Sequence, residues 1–531
     1  MAKTFSITTA IDYTNSTPHI GHAYEKVLAD VIARYHRLQG NKVFFLTGVD
    51  QHGQKVQQSA AREGVPPAEF VKGVTENFIQ LWKKLDVRYD EWAETIDERH
   101  KRVVKEILQR LFDEGQIYKD KQTGFYSVRQ EQFLTDKERG PEGEFGPEWG
   151  QVEEREEENY YFKLNQHKEW LLAYLKGRAD AVIPDFRQTE LHNAVEKLSG
   201  DLCISRPKSR LDWGIELPFD RNFVTYVWFD ALTNYISFAG YDPAKSVFND
   251  QPSIFQERWP ALQVIGKDIL IPAHGIYWLI MLHAIGFGEA QMPQLLVHGW
   301  WNISGAKMSK SEGNVVDPNV LADKYGVDAL RYYLMSDITI GGDSDFSEER
   351  LIGRYNSDLA NSLGNLLNRT LNMADRYRAS RLRRAGDLFR DTEILRRRAI
   401  EAVGDYSKAM DSLQVQGAME TLFQFVTSYN KAVEDYAPWK LAKEKDNQAA
   451  QNDLDAVIYH LAESLRISAI LISAVTPRAA HGIFDQLNWK IEFSGKEARF
   501  RLNEAAWGGL PDGHILGTAS QLFPRVEIIS G

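Results

Sequence analysis

Phe5-Ser-Ile-Thr-Thr-Ala10 is a short β-branched and apolar run that gives way to the turn-rich Asp12-Tyr-Thr-Asn-Ser-Thr-Pro18 and then to His19-Ile-Gly-His22. From Ala23 to Leu38 the residues Val27, Leu28, Val31, Ile32, Tyr35 and Leu38 recur at helical spacing, and Gly40 stops the pattern. Lys42-Val-Phe-Phe-Leu-Thr47 follows as a second buried-looking strand and ends in Gly48-Val-Asp50-Gln-His-Gly53. Strand, loop, helix and strand in that order predict a parallel sheet with its ligand site at the carboxyl ends of the strands.

Two imidazoles three residues apart at a helix entry can both face a triphosphate, and Gly21 permits close backbone approach. Taken alone, the tetrapeptide is weak evidence, because histidines near helix starts are more often surface or capping residues. A second nucleotide signal lies at Ala306-Lys307-Met308-Ser309-Lys310-Ser311-Glu312-Gly313-Asn314, where two lysines among small residues can bring ammonium groups to a developing pyrophosphate. A bare Lys-Ser-Lys would read as a solvated basic loop. Gly266-Lys267-Asp268 follows the apolar run Leu262-Gln-Val-Ile265, so it falls where a strand ends. An acid there can accept both ribose hydroxyls or mark a structural turn.

With 531 residues the chain is too long for one core. Its 43% hydrophobic and 26% charged content is ordinary for globular proteins and excludes disordered, collagenous and coiled-coil classes. The 63 basic and 74 acidic residues leave a net charge of -11, so a polyanion would need a local basic face. The single cysteine, Cys203, excludes a disulfide-stapled scaffold and a thiolate metal cluster and points to a reducing, cytoplasmic setting. No stretch approaches eighteen apolar residues, so neither an export signal nor a membrane span is expected. The acidic run Glu153 to Glu158, interrupted by Arg155, reads as a solvated face or loop.

Together, His19 to His22 and Lys307 to Ser311 resemble the HIGH and KMSKS signatures of the class I aminoacyl-tRNA synthetases. Within that class the chain resembles the methionyl-tRNA synthetase family along nearly its whole length. The stretches that carry this are Ala10-Ile-Asp-Tyr13, Gly48-Val-Asp-Gln-His-Gly53, Tyr226-Val-Trp-Phe-Asp-Ala-Leu-Thr-Asn-Tyr235, and Gly266-Lys-Asp-Ile269 with Pro272-Ala-His274-Gly-Ile-Tyr-Trp278. The resemblance implies an α/β fold: a Rossmann-like parallel-sheet catalytic domain split by a connective-peptide insertion, then an α-helical anticodon-binding bundle. The implied divisions are 1–115 and 213–300 for the catalytic halves, 116–212 for the insertion, 301–355 for the KMSKS and stem-contact segment, and 356–531 for the bundle and tail.

The implied reaction is ATP-dependent ligation of L-methionine to its tRNA, initiator and elongator, through a methionyl-adenylate, with AMP and pyrophosphate released. ATP, bound with Mg2+, would meet His19, Gly21, His22, Gly266, Asp268, Lys307 and Lys310; His19, His22, Lys307 and Lys310 would be catalytic. Asp50 would hold the substrate ammonium. Ala10, Ile11, Tyr13, Trp228, Ala231, Leu232, Tyr235, Ile269 and His274 would form the methionine pocket. A thioether is best gripped by aromatic and apolar walls, with a weak contact to sulfur from a Tyr hydroxyl or a backbone N-H such as that of Ile11. By spacing alone, Trp228 and Tyr235 also suit a core.

Two departures stand out: an apparent extra residue in Ile271-Pro272-Ala273 ahead of His274, and Asp12, where the family commonly carries Pro or Tyr. The insertion has no room for the editing domain that small apolar substrates require. Where the family places zinc-binding Cys pairs, this chain has Tyr126-Ser-Val-Arg-Gln-Glu131, so no structural zinc is expected and no residue is assigned to a metal.

Beyond KMSKS, Ser347 precedes acidic residues as a helix cap would, and Leu359 to Met373, Glu393 to Met410, Gln414 to Val433 and Asp453 to Val475 show helical spacing, with breaks at Pro438 and Pro477. The resemblance assigns anticodon reading to Asn365, Arg369, Pro438 and Trp439. A guanidinium and an indole can stack on single-stranded bases, although a Trp there also suits a bundle core. The arginines from Arg376 to Arg398 fit tRNA phosphates and surface ion pairs equally. A monomer without membrane association is expected. A cysteinyl or leucyl synthetase and a catalytically silent tRNA-binding paralogue are the other readings.

Overall fold

The computed structural model describes residues 3–127, 132–134, 139–140, 142–245, 248–303, 305–307, 315–384, 392–489 and 500–527. Its centre is a sheet of seven parallel strands: β1 (Thr4–Thr9), β2 (Asp12–Tyr13), β3 (Lys42–Asp50), β4 (Glu91–Glu94), β5 (Val182–Ile183), β6 (Leu262–Gly266) and β7 (Gln294–His298). β1 lies between β3 and β6, in register at Phe5 with Val43 and at Ile7 with Leu262. The chain leaves β1 toward β3 on one side and returns through β6 on the other. That reversal opens a crevice at the carboxyl ends of β1 and β6, the place where open α/β sheets bind ligands.

Alternation along β3 explains why both sheet faces are covered. Phe45 and Val49 point into one core, shared with α1 (Ile20–Leu38), and Phe44 and Leu46 point into the other. Gly48 is required on this strand, because a Cβ there would lie 2.1 Å from the Ala93 carbonyl oxygen of β4. The first core runs without interruption from Ile7 through α1 and α3 (Val327–Ser336) into the C-terminal helices. Buried Arg331 ties these layers together by donating to Asp30 Oδ2 (2.7 Å), Leu85 O (2.9 Å), Ala474 O (3.0 Å) and Val475 O (2.8 Å). Asp30 sits on α1, so the helix that begins at the HIGH stretch is anchored to the bundle.

The predicted insertion is not a single block. Strands Ile117–Ser127 and Val152–Phe162 pair antiparallel along their whole length, and Gln132–Leu134 and Leu202–Cys203 flank them. Within the same stretch β5 joins the catalytic sheet beside β7. The acidic run lies on a strand and not in a loop: Glu154, Glu156 and Glu158 are exposed on alternate positions. Lys119 meets Glu158 at 2.8 Å, and Lys121 pairs with Glu156.

The C-terminal half is helical, as the spacing predicts. Ser347 caps Glu348–Arg354, its Oγ accepting from Arg350 N at 3.2 Å. Asn365–Arg378, Thr392–Asp411, Val415–Tyr436 and Gln448–Ile472 form the bundle. Pro438 and Pro477 each open a further helix at its first turn, where the missing N-H costs nothing. Among the described residues no helix is long and apolar enough to cross a membrane.

Candidate active site

A cavity of about 490 Å³ opens at the sheet reversal. Ala10 and Ile11 reach it from the turn after β1, Tyr13 from β2, and Asp50 from the end of β3. His19, Gly21 and His22 reach it from the start of α1, Trp228, Ala231, Leu232 and Tyr235 from α2 (Val227–Ser237), and Gly266, Asp268, Ile269 and His274 from the segment after β6. All fifteen residues expected there from the first 300 positions therefore line one space.

The two histidines cap α1 reciprocally. His19 Nδ1 accepts from Gly21 N at 3.1 Å, and His22 Nδ1 accepts from His19 N at 3.1 Å. With each Nδ1 an acceptor, each proton resides on Nε2, which makes both rings hydrogen-bond donors at a helix N-terminus. Gly266 is needed for a different reason: a Cβ there would come within 2.8 Å of the Asp268 carboxylate and would touch His298.

Asp50 is 5% exposed, and burial, followed by the charge of Asp230, pushes its carboxyl well above the carboxylate range. Thr95 Oγ1 donates to it at 3.4 Å and His52 N at 3.3 Å, and no Lys or Arg among the described residues pairs with it. Such a carboxyl is poised to gain from an incoming ammonium. Behind it, Asp230 accepts from His52 Nδ1 (2.7 Å) and His100 Nε2 (2.8 Å). Burial opposes its charge, but these two rings hold its carboxyl down at about 2.

The far wall is a relay of neutral groups. Tyr235 OH donates to His274 Nε2 at 2.7 Å, and His274 Nδ1 donates to Ile269 O at 2.9 Å. Burial drives the His274 imidazole down to about 4. Where the sequence shows an apparent extra residue before His274, the helical segment Leu270–Trp278 is kinked, with Ile271 at an extended φ,ψ of -114°, 122°.

Several residues in and behind the cavity wall were not anticipated: Glu25 and His298 line the cavity. Behind them Lys26, from the second turn of α1, donates to Ala10 O (2.9 Å), Asp12 Oδ1 (2.6 Å) and Glu25 Oε1 (2.8 Å). Glu25 Oε2 meets His298 Nε2 at 3.1 Å. Asp12 is thus half of a buried ion pair, and burial still pushes its carboxyl up to about 7 against the pull of Lys26. A signal for His298 existed in the sequence, since it ends the apolar run Leu295 to Val297 as Gly266 ends its own strand.

The KMSKS segment is only partly described. Ala306–Lys307 pairs antiparallel with Ile303 and Asn302, while the Lys307 side chain and Lys310 lie outside the described residues. In the bundle, Asn365 and Arg369 line an open groove of about 360 Å³ with Asn430 and Glu434. Pro438 and Trp439 do not line that groove: Pro438 is buried, and Trp439 is half-buried against the bundle core, the alternative its sequence context allowed. Within the basic stretch Arg378 pairs with Asp455 and Arg381 donates to Gly513 O, while Arg383, Arg397 and Arg398 are exposed; Arg390 lies outside the described residues.

A family model described as tRNA synthetases class I (M) matches residues 5–144 and 149–371. A methionine-tRNA ligase of Lactococcus lactis is 37% identical over 536 residues, covering 99% of this chain and 78% of its own length. One from Deinococcus radiodurans is 40% identical, covering 99% of this chain and 75% of its own. The solved structure of the Mycobacterium tuberculosis methionyl-tRNA synthetase in complex with methionyl-adenylate superposes with a TM-score of 0.90 at 35% identity, covering 98% of this chain and 100% of that one.

Proposed function

The chain belongs to the methionine-tRNA ligases of class I, and from that premise we propose how its residues divide the work. The enzyme joins L-methionine to its tRNA at the expense of ATP, through a methionyl-adenylate. Asp50 takes the methionine ammonium, and the exchange of a solvated for a buried ion pair is driven by the prior desolvation of that carboxyl. Trp228, Ala231, Leu232 and Tyr235 enclose the side chain. The methionine carboxylate then attacks the α-phosphate of ATP, which enters as its Mg2+ chelate, and pyrophosphate leaves. His19 and His22 donate to phosphate oxygens, and Asp268 accepts from the ribose hydroxyls. Lys307 and Lys310 balance the charge that builds on pyrophosphate, so that catalysis is positional and electrostatic with no protein nucleophile. The terminal ribose of tRNA, initiator or elongator, next takes the methionyl group from the adenylate, and Asn365 and Arg369 read the anticodon.

The observation that supports this division is the convergence of two capping imidazoles, an unpaired buried carboxyl and an aromatic pocket in one cavity at the sheet reversal. The insertion stands without zinc on this reading. Its donor set does not fit a four-thiolate site, because Cys203 is the single cysteine and its sulfur receives Arg206 Nη1 at 3.1 Å. A monomeric, cytoplasmic enzyme completes the proposal. The test is ATP-pyrophosphate exchange with each of the twenty amino acids. Methionine alone is expected to support it at low concentration; exchange driven by cysteine or leucine, or none at all, overturns the reading.

A further inference from the structure

Lys26 is buried on α1 at 1% side-chain exposure, where an ammonium is costly unless every proton is met. Each of its three protons is met, and two of the acceptors, Asp12 and Glu25, supply charge. The third is different in kind: Ala10 O, the carbonyl at which the chain leaves β1 beside the cavity, which also accepts from Thr9 Oγ1 at 3.0 Å. A trans peptide points its C=O and the following N-H in opposite directions, so whatever fixes Ala10 O also fixes Ile11 N-H. Ile11 N-H has no acceptor among the described residues, although Ala10 N beside it bonds Val264 O at 3.2 Å and Asp12 continues in register with Val49. Ala10 and Ile11 both line the cavity.

We propose that Lys26 is a positioning residue for methionine selection: its ammonium pins the Ala10 carbonyl and so aims the Ile11 N-H at the substrate's thioether. The inference rests on reading this cavity as the methionine site. Packing alone does not call for a lysine here, since an apolar residue would fill the same space without desolvating a charge. What an apolar residue could not supply is the charged, long-range donor that ties Ala10 O to α1, since the Thr9 hydroxyl is its own chain neighbour. Asp12 Oδ2 remains buried with no hydrogen-bond partner, the mark of a cluster not arranged for stability alone.

The test compares methionine with norleucine, its sulfur-free isostere, in ATP-pyrophosphate exchange. Wild-type exchange is measured first; if methionine does not drive it, the reading of the cavity fails and the variants are not interpreted. In Lys26→Met the ratio of kcat/KM for methionine over norleucine is expected to fall about tenfold, from loss of an aligned N-H donor. The KM for ATP stays within about twofold, because nothing on the phosphate side has moved. Lys26→Met leaves the Asp12 carboxylate without an ion partner and Glu25 with His298 Nε2 alone, so Asp12→Asn/Lys26→Met is made beside it to remove the Asp12–Lys26 pair whole. The same loss of selectivity in the double variant, with the thermal midpoint restored, supports the proposal. A wild-type selectivity ratio in either folded variant overturns it, and so does failure of both to fold, which would make Lys26 a structural charge only.

Discussion

On the proposed division of work, the cavity and the bundle groove both face charged ligands, but they are prepared for them in opposite ways. In and immediately behind the cavity wall, Asp12, Asp50, Asp230, His274 and Lys26 are buried, and each meets fixed dipoles or ions within about 3.4 Å. In the groove, Arg369 and Glu434 face solvent and neutralise one another at 2.6 Å. The difference follows from the task. Charge that develops during bond making is stabilised best by groups already desolvated and aimed, whereas an anticodon must be met, read and released through contacts that water can replace.

The largest effect expected from breaking this contrast is at Asp50. Asp50→Asn should lower kcat/KM for methionine in the exchange assay by about a hundredfold or more, the scale of a lost buried charge partner. Free of ligand, the same variant should be more stable than wild type at pH 8. The sign follows from linkage: a carboxyl raised on folding binds its proton more tightly when folded, so stability falls as pH rises from the ordinary carboxylate range through the raised value. Asn removes that fall. Thermal midpoints at pH 5 and pH 8 check it, and a variant less stable than wild type at pH 8 would contradict the uncompensated carboxyl.

Arg331→Met comes next. It removes the shared anchor of α1, α3 and the carbonyls of Ala474 and Val475, and it leaves Asp30 with Arg34 as its one ion partner and the Arg88 N-H. A loss of about 3 kcal/mol in a reversible denaturant titration is expected. The loss should bring the two regions apart as separate unfolding steps, one monitored by methionine binding and one by bundle helicity. A single unchanged transition would show that the shared apolar core couples them without the arginine.

Gly266→Ala sharpens the comparison inside the cavity. The added methyl must displace the Asp268 carboxylate, 2.8 Å away, so KM for ATP should rise about tenfold while KM for methionine stays within about twofold. A rise in both would place Asp268 nearer the methionine end than the nucleotide end.

How much of this was legible in the sequence depends on the range of the interactions. α1 and β3 follow from periodicity because each buries a regular face, and the helices beyond position 348 follow for the same reason. Gly266 and Asp268 could be placed because strand ends are local events. His52, His100 and Asp230 could not be grouped, since their contact joins three segments up to 178 residues apart and none has a local pattern. Lys26 carries no local signal that would single it out, and its partner Asp12 stands out only as a departure from the family. Only the packing of α1 against the turn after β1 shows that the two answer each other. Trp439 marks the same boundary from the other side: the sequence allowed a stacking platform and a core residue, and only packing distinguishes which surface it meets.

The smallest expected effects belong to the groove, and they run in opposite directions. Arg369→Ala should reduce tRNA charging about tenfold while leaving methionine-dependent exchange unchanged, because the groove shares no residue with the cavity. Glu434→Gln should improve KM for tRNA by about twofold. Arg369 is 29% exposed and Glu434 60%, so water screens their pair, and an exposed pair of this kind is worth about 1 kcal/mol or less. Freeing the guanidinium therefore returns a small advantage to a phosphate or base, and removing one acid lessens repulsion of the polyanion. Both gains shrink as salt is raised. A Glu434→Gln variant that charges tRNA more poorly at every salt concentration would instead make the ion pair a preset of Arg369, and the groove would then be organised as the cavity is.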